Sequence, residues 1–332
     1  MRLLTPVSEG GNENTMSLLE VRNLKTYYYT FMGPVKAVDN VTFEIDKGET
    51  LGLAGESGCG KTTACLSIMR MLQPPGRVAG GEILFDSKDL LKLSKTAMER
   101  IRGNHISMIF QGAMNALSPV HTIGQQIYEV IKKHESHVSQ EQGWERVRNI
   151  LNTVGIDPSR SKDYPHQLSG GMKQRALIAI ALICNPDIII ADEPVTALDV
   201  IVQAQVLKAM KNLQRNLGLS MIMITHDLSV IAEICDKLAI MYGGKIMEYG
   251  NLKELFKDPR HPYTQALIKA FPSISGPKKE LLDIPGIPVD LLHPPNGCRF
   301  YERCPKAMTI CQKDEPKHIP RDSGYVACHL YS

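Results

Sequence analysis

The sequence predicts an α/β protein built on a parallel sheet, with a helical insert and a small Cys- and Pro-rich C-terminal region. Three observations carry this. Short apolar β-type runs alternate with segments of helical period. A Gly-rich turn joins one such run directly to a helix around residues 55–62. After Gly250 the composition shifts to proline and cysteine.

The elements follow in order. β-type runs at 18–24, 41–45 and 51–54 are bounded by Gly, Asp and Lys. Gly55, Gly60, Lys61 and Thr62 then fit the P-loop pattern, between a strand and a helix expected over 63–72. Glycines let backbone N–H groups wrap phosphates at the helix N-terminus. Lys61 reaches the outer phosphates, and the Thr62 hydroxyl ligates Mg²⁺. Glu56, Ser57, Gly58, Cys59 and Thr63 complete the nucleotide loop. Strands at 83–85 and 106–110 follow, and then Ile127, Val130, Ile131, Val147, Ile150, Leu151 and Val154 recur at helical spacing, marking a helical insert over about 113–185.

Ile188, Ile189, Ile190 and Ala191 form a run suited to a strand buried on both faces, ending in Asp192 and Glu193. After a P-loop, this pair completes a metal and water site: Asp192 holds Mg²⁺, usually through water, and Glu193 orients or deprotonates the water attacking the γ-phosphate. A helix at 202–217 and strands at 220–224 and 238–241 close the core. Pro285, Pro288, Pro294 and Pro295 mark turning chain in an appended region expected from near Asp258 to the end.

Composition excludes several classes. Hydrophobic residues at 43 % and charged residues at 22 % describe an ordinary globular chain able to bury a core. The net charge of +3 is small and interleaved, so a nucleic-acid surface is not indicated. The longest apolar stretches, 176–183 and 188–191, fall short of the roughly 20 residues that cross a bilayer. Residues 1–16 lack the apolar region of a secretory signal and read as a disordered leader, with Met16 an alternative start. Eight cysteines in a chain without that signal are expected to meet a reducing cytosol. Four are scattered: Cys59, Cys65, Cys184 and Cys235. The other four, Cys298, Cys304, Cys311 and Cys328, crowd the last tenth of the chain.

Residues Leu168, Ser169, Gly170, Gly171, Met172, Lys173, Gln174 and Arg175 resemble the signature sequence of ATP-binding cassette (ABC) proteins. The resemblance implies an ABC-type ATPase core with an antiparallel β subdomain and a helical subdomain. It implies ATP and Mg²⁺ as ligands, and a head-to-tail dimer in which Ser169, Gly170 and Gly171 of one chain face the γ-phosphate bound to the other. Gln111 resembles the Q-loop glutamine, contacting Mg²⁺ or the attacking water. Ala197, Leu198 and Asp199 resemble the D-loop, and His226 the switch histidine that holds the water and Glu193 in line. Tyr28, among three consecutive tyrosines, stands where the family places an aromatic that stacks on adenine.

In the tail, His261, Pro262, Tyr263, Thr264, Ala266 and Leu267, then Ile284, Pro285, Gly286, Pro288 and Asp290, resemble the extension of oligopeptide and dipeptide permease ATPases, which nickel importers share. This implies a peripheral subunit on the cytoplasmic face of the cell membrane. Its partners would be two transmembrane permease subunits, a second ATPase chain, identical or related, and an external solute-binding protein. The four tail cysteines, at gaps of five, six and sixteen residues, lack the paired CxxC knuckles of structural zinc. The resemblance implies a [4Fe–4S] cluster on them, with zinc or unligated buried thiols as alternatives. A soluble cassette ATPase of translation or repair would show two cassettes or a long coiled-coil insertion. A non-hydrolysing scaffold would lack Glu193 or His226. A nucleic-acid zinc module would concentrate basic charge. None of these features is present in the sequence.

Overall fold

The computed structural model describes residues 17–112, 116–196, 198–270 and 284–332. The expected leader and Ala197 of the D-loop lie outside them. β1 (Leu19–Thr30) and β2 (Gly33–Ile45) pair as an antiparallel hairpin, with Leu19 opposite Ile45 and Tyr28 opposite Val35. Both run longer than their apolar stretches, because cross-strand pairing carries polar Thr26 and Tyr27 along. β3 (Thr50–Ala54) is buried at every residue and feeds α1 (Lys61–Ile68) through the P-loop. That helix is shorter than expected, since Arg70 turns to a φ of +50° soon after it and Pro74 follows. β4 (Gly76–Phe85) and β5 (Lys88–Asp89) complete a four-stranded antiparallel sheet of order β2-β1-β4-β5.

α2 (Lys95–Ile101) leads to β6 (Ile106–Ile109). The helical insert comprises α3 (Ile123–His134), α4 (Gln140–Thr153) and α5 (Gly170–Leu182). Thr122 with Gln125, and Ser139 with Gln142, form capping boxes that satisfy the first free N–H groups of α3 and α4. Their apolar stripes, Ile123, Ile127 and Ile131 against Val147 and Leu151, are buried, and Tyr128 stacks on Trp144 at 5.5 Å.

β7 (Ile188–Asp192), α6 (Val200–Leu217), β8 (Ser220–Ile224) and β9 (Lys237–Tyr242) fall where the sequence predicts them, with α7 (Leu228–Ile234), a helix the sequence reading did not include, between β8 and β9. β9, β3, β8, β7 and β6 are parallel neighbours, all nearly or wholly buried. The loops after β3, β6, β7 and β8 therefore open at one edge of the sheet, where α/β proteins bind ligands.

β10 (Lys245–Asn251) turns back antiparallel on β9, and α8 (Leu252–Lys257) and α9 (Pro262–Ala270) follow. After α10 (Thr309–Lys313), β11 (His318–Arg321) and β12 (Gly324–Ala327) pair with each other, and β12 pairs with β10. The C-terminal strands thus extend the main sheet to eight, in the order β11-β12-β10-β9-β3-β8-β7-β6. Tyr242, Tyr263 and Phe300, from β9, α9 and the cysteine-containing tail, pack ring against ring within 5.2 Å.

Candidate nucleotide-binding site

The P-loop leaves β3 on glycines that no other residue could replace. Gly55 has φ +148°, and a Cβ there would sit 2.0 Å from the Met241 carbonyl oxygen; one at Gly60, φ +107°, would meet the Ala37 carbonyl at 2.1 Å. Ser57 and Gly58 are exposed, so the loop's outer turn is open to an anion. Lys61 is buried and folds onto its own loop, donating to the carbonyls of Gly55 at 2.7 Å and Glu56 at 3.0 Å. Of the three tyrosines, Tyr28 reaches this helix: its hydroxyl lies 3.4 Å from the Thr63 hydroxyl. Tyr27 donates instead to Asp39 at 2.8 Å, and Tyr29 lies under Arg77.

Asp192 ends β7 beside Thr62. Burial pushes its carboxyl up, opposed by the Thr62 hydroxyl and the Lys61 charge. Its Oδ1 is buried with no hydrogen-bond partner, a cost usually met by a bound group. The donors present suit a hard cation: the Thr62 hydroxyl and the Asp192 carboxylate meet here and offer oxygen, the ligand type Mg²⁺ prefers, and Gln111, whose Nε2 is taken by Glu193, has its amide oxygen to add as a third.

Glu193 takes φ +46°, a strained value for a non-glycine residue, and its N–H bonds the Ile224 carbonyl at 2.9 Å. Three neighbours grip its carboxylate. Gln111 Nε2 donates to Oε2 at 2.8 Å, Thr196 Oγ1 donates to Oε2 at 3.1 Å, and His226 Nδ1 lies 3.2 Å from Oε1. Burial raises its pKa, but His226, Thr196 and Gln111 outweigh that, and the carboxyl lies below its ordinary value. The loops after β6, β7 and β8 thus converge on one ionised carboxylate.

The signature lies elsewhere. Ser169 caps α5, accepting the Met172 N–H at 3.4 Å, and Gly170 is exposed beside it. α5 packs on α3, α4, α6 and β6, whereas α1 packs on β1, β2 and β4. Asp199 caps α6 through the Val202 N–H at 3.0 Å.

The tail cysteines come out differently from the metal centre expected. Cys298, Cys311 and Cys328 are buried and Cys304 partly so. The Cys298 N–H bonds the Cys311 carbonyl at 2.8 Å. Burial, then the other cysteines, push the Cys298 thiol up to about 12; Cys304 and Cys328 rise for the same reasons. Yet among the described residues no three His, Cys, Asp or Glu side chains gather closely enough to hold a metal ion. A single zinc holds its thiolates within about 4 Å of one another, so the zinc alternative finds no formed site.

Sequence reasoning missed three partners. Thr196 stands three residues after Glu193, a turn spacing that would have found it. Tyr263 accepts the Glu56 N–H at 3.0 Å, and Arg303 binds the Glu56 carboxylate. No local pattern signals these two contacts.

A P-loop, an acidic strand end and a capped signature helix on a parallel sheet define a P-loop nucleotide-binding protein. The ABC transporter family profile matches residues 38–196, and the profile for the oligopeptide/dipeptide transporter C-terminal region matches 247–311. The chain is 48 % identical over 317 residues to the dipeptide transport ATP-binding protein DppD of Bacillus subtilis, covering 94 % of each. It is 48 % identical to the oligopeptide transport ATP-binding protein OppD of the same organism, covering 94 % of this chain and 88 % of that one. A dimeric ATP-binding cassette solved in a post-hydrolysis state with ADP and Pi superposes with a TM-score of 0.63 at 27 % identity, over 70 % of this chain and 98 % of that one. The chain belongs to the ABC transporter ATP-binding family, in its dipeptide and oligopeptide transport branch. It is an ATPase. No helix among the described residues is long and apolar enough to cross a membrane.

Proposed function

We propose that this chain powers the import of dipeptides or oligopeptides by hydrolysing ATP. The observation that supports this most is the single ionised carboxylate, Glu193, gripped by Gln111, Thr196 and His226 at the mouth of a P-loop, in a chain whose tail matches the peptide-transporter region. Glu193 accepts the proton of the attacking water, and His226 and Gln111 fix its direction. Lys61 swings from its loop carbonyls to the outer phosphates, and Tyr28 takes the adenine. Thr62, Asp192 and Gln111 would hold Mg²⁺, which would supply charge neutralisation to the phosphates. Ser169, Gly170, Gly171 and Asp199 complete the partner chain's site in a head-to-tail dimer.

The wider assembly is two transmembrane permease subunits, a second ATPase chain and an external solute-binding protein, with this subunit on the cytoplasmic face of the membrane. The same machinery serves a nickel importer if the binding protein differs. Uptake of a labelled dipeptide by cells whose only copy carries Lys61→Ala tests the reading: lost uptake supports it, and normal uptake refutes it.

Cys298, Cys304, Cys311 and Cys328 are proposed to hold a [4Fe–4S] cluster. A cubane keeps its thiolates farther apart than one ion does, and a backbone hydrogen bond already joins Cys298 to Cys311. About four irons and four sulfides per chain in protein purified without oxygen, lost in Cys304→Ser, support the cluster. Iron-free protein with a fully folded tail overturns it.

A further inference from the structure

Arg303 precedes Cys304 in the tail, yet its guanidinium ends on the phosphate-binding loop. Its side chain is 5 % exposed, and it grips Glu56 through two parallel bonds, Nη1 to Oε2 at 2.7 Å and Nη2 to Oε1 at 2.9 Å. The remaining donors are satisfied too. Nε donates to the Pro285 carbonyl at 2.9 Å and Nη2 to the Ile284 carbonyl at 2.8 Å, while Nη1 reaches the Tyr242 hydroxyl at 3.3 Å. Such a two-pronged pair is fixed in direction as well as charge, which a lysine could not reproduce. The tail region also holds Glu56 by its backbone, because Tyr263 of α9 accepts its N–H at 3.0 Å.

Glu56 is the second residue of the P-loop, between Gly55 and Ser57, so its negative charge sits beside the loop that must receive a polyanion. Left unpaired, that carboxylate opposes phosphate binding; paired with a guanidinium, it does not. The carbonyls of Gly55 and Glu56 also hold Lys61, so the geometry at Glu56 fixes where the loop's own cation starts from.

We propose that Arg303 is a positioning residue for nucleotide binding: by pairing with Glu56 it neutralises the one carboxylate of the P-loop and locks the loop's first turn. The cysteine-containing tail thereby sets the nucleotide affinity of the ATPase core. This rests on the reading of residues 55–62 as an ATP phosphate loop. Any change that loosens the chain around Cys304 frees Glu56 and weakens the site from behind, without touching the bound nucleotide.

The test is calorimetric titration of the full chain with Mg·ADP. Arg303→Ala should weaken binding about tenfold, equal to roughly 1.4 kcal/mol, with the loss shrinking as salt rises. Adding Glu56→Gln to it should bring affinity back to within about threefold of wild type, although the tail contact is still missing. A purely structural clip predicts otherwise: the double variant would bind no better than the single one. That result, or unchanged affinity in Arg303→Ala, overturns the proposal. If Arg303→Ala fails to fold, Glu56→Gln alone decides. It should tighten ADP binding, because the guanidinium then adds its unopposed charge to the loop, and weaker binding would count against the idea. A folded wild-type chain that binds no nucleotide overturns the P-loop reading itself, and the proposal with it.

Discussion

Glu193→Gln separates chemistry from binding. The substitution keeps the shape and the hydrogen-bond reach of the side chain but removes its charge and basicity. The magnitude follows from the site. Glu193 is held by Gln111, Thr196 and His226 at 2.8 to 3.2 Å, and these contacts keep it ionised despite partial burial. As the proton acceptor for the attacking water it contributes roughly 10²- to 10⁴-fold, so kcat should fall by that factor. Nucleotide affinity should hold, because the P-loop is untouched. With hydrolysis blocked, ATP stays between the two chains, and a stable dimer should appear on size exclusion in Mg·ATP. The pH profile adds a sign. Since the carboxyl titrates below its ordinary value, wild-type turnover should persist as pH falls through the usual glutamate range and fail only below it. A Glu193→Gln chain that keeps more than about a tenth of wild-type turnover refutes the general-base assignment.

Three further outcomes are expected. Mixing Ser169→Arg chains with Lys61→Ala chains should restore part of the activity that each variant lacks alone, because the mixed dimer keeps one whole site, the P-loop of the Ser169→Arg chain facing the signature of the Lys61→Ala chain; steady-state ATPase rates no higher than the sum of the two variants alone would contradict the shared site. Gly60→Ala should abolish nucleotide binding by calorimetry while leaving the fold intact by circular dichroism, since a Cβ would sit 2.1 Å from the Ala37 carbonyl; normal binding would show that the loop can shift. His261 is fully buried, and burial lowers its pKa from 6.5 to about 3. The unfolded chain therefore takes up a proton below about pH 6.5 that the folded chain refuses, and stability should fall by about 2 kcal/mol between pH 6.5 and 5. His261→Asn, which keeps an acceptor for the Tyr263 N–H, should flatten that slope in urea melts, and an unchanged slope would exclude His261 as its source.

Much of the architecture was legible because it is written locally. A strand buried on both faces must be apolar throughout, so Ile188 to Ala191 announced β7; helical period announced α3 and α4. The long polar ends of β1 and β2 were not, because Thr26 to Thr30 join a strand only when a partner strand supplies the pairing. β10 and the two C-terminal strands were missed for the same reason. They are antiparallel additions to a sheet edge, and nothing in residues 318–327 names β10 as their neighbour. The tail cysteines were legible as a group, but the spacing of their side chains was not.

The sequence by itself determined the chemistry of the loop: the P-loop glycines, Lys61, Thr62, the Asp192–Glu193 strand end and the Ser169 signature are fixed by residue type at short spacing. Only the tertiary structure decided which side chains meet. Gln111, Glu193 and His226 come together because β6, β7 and β8 lie parallel and in register, so their following loops open at one edge. Arg303 reaches Glu56 across 247 residues of chain because the tail folds back over the end of β9. Local motifs survive as patterns in the chain, whereas contacts between distant segments depend on a packing that no short pattern encodes.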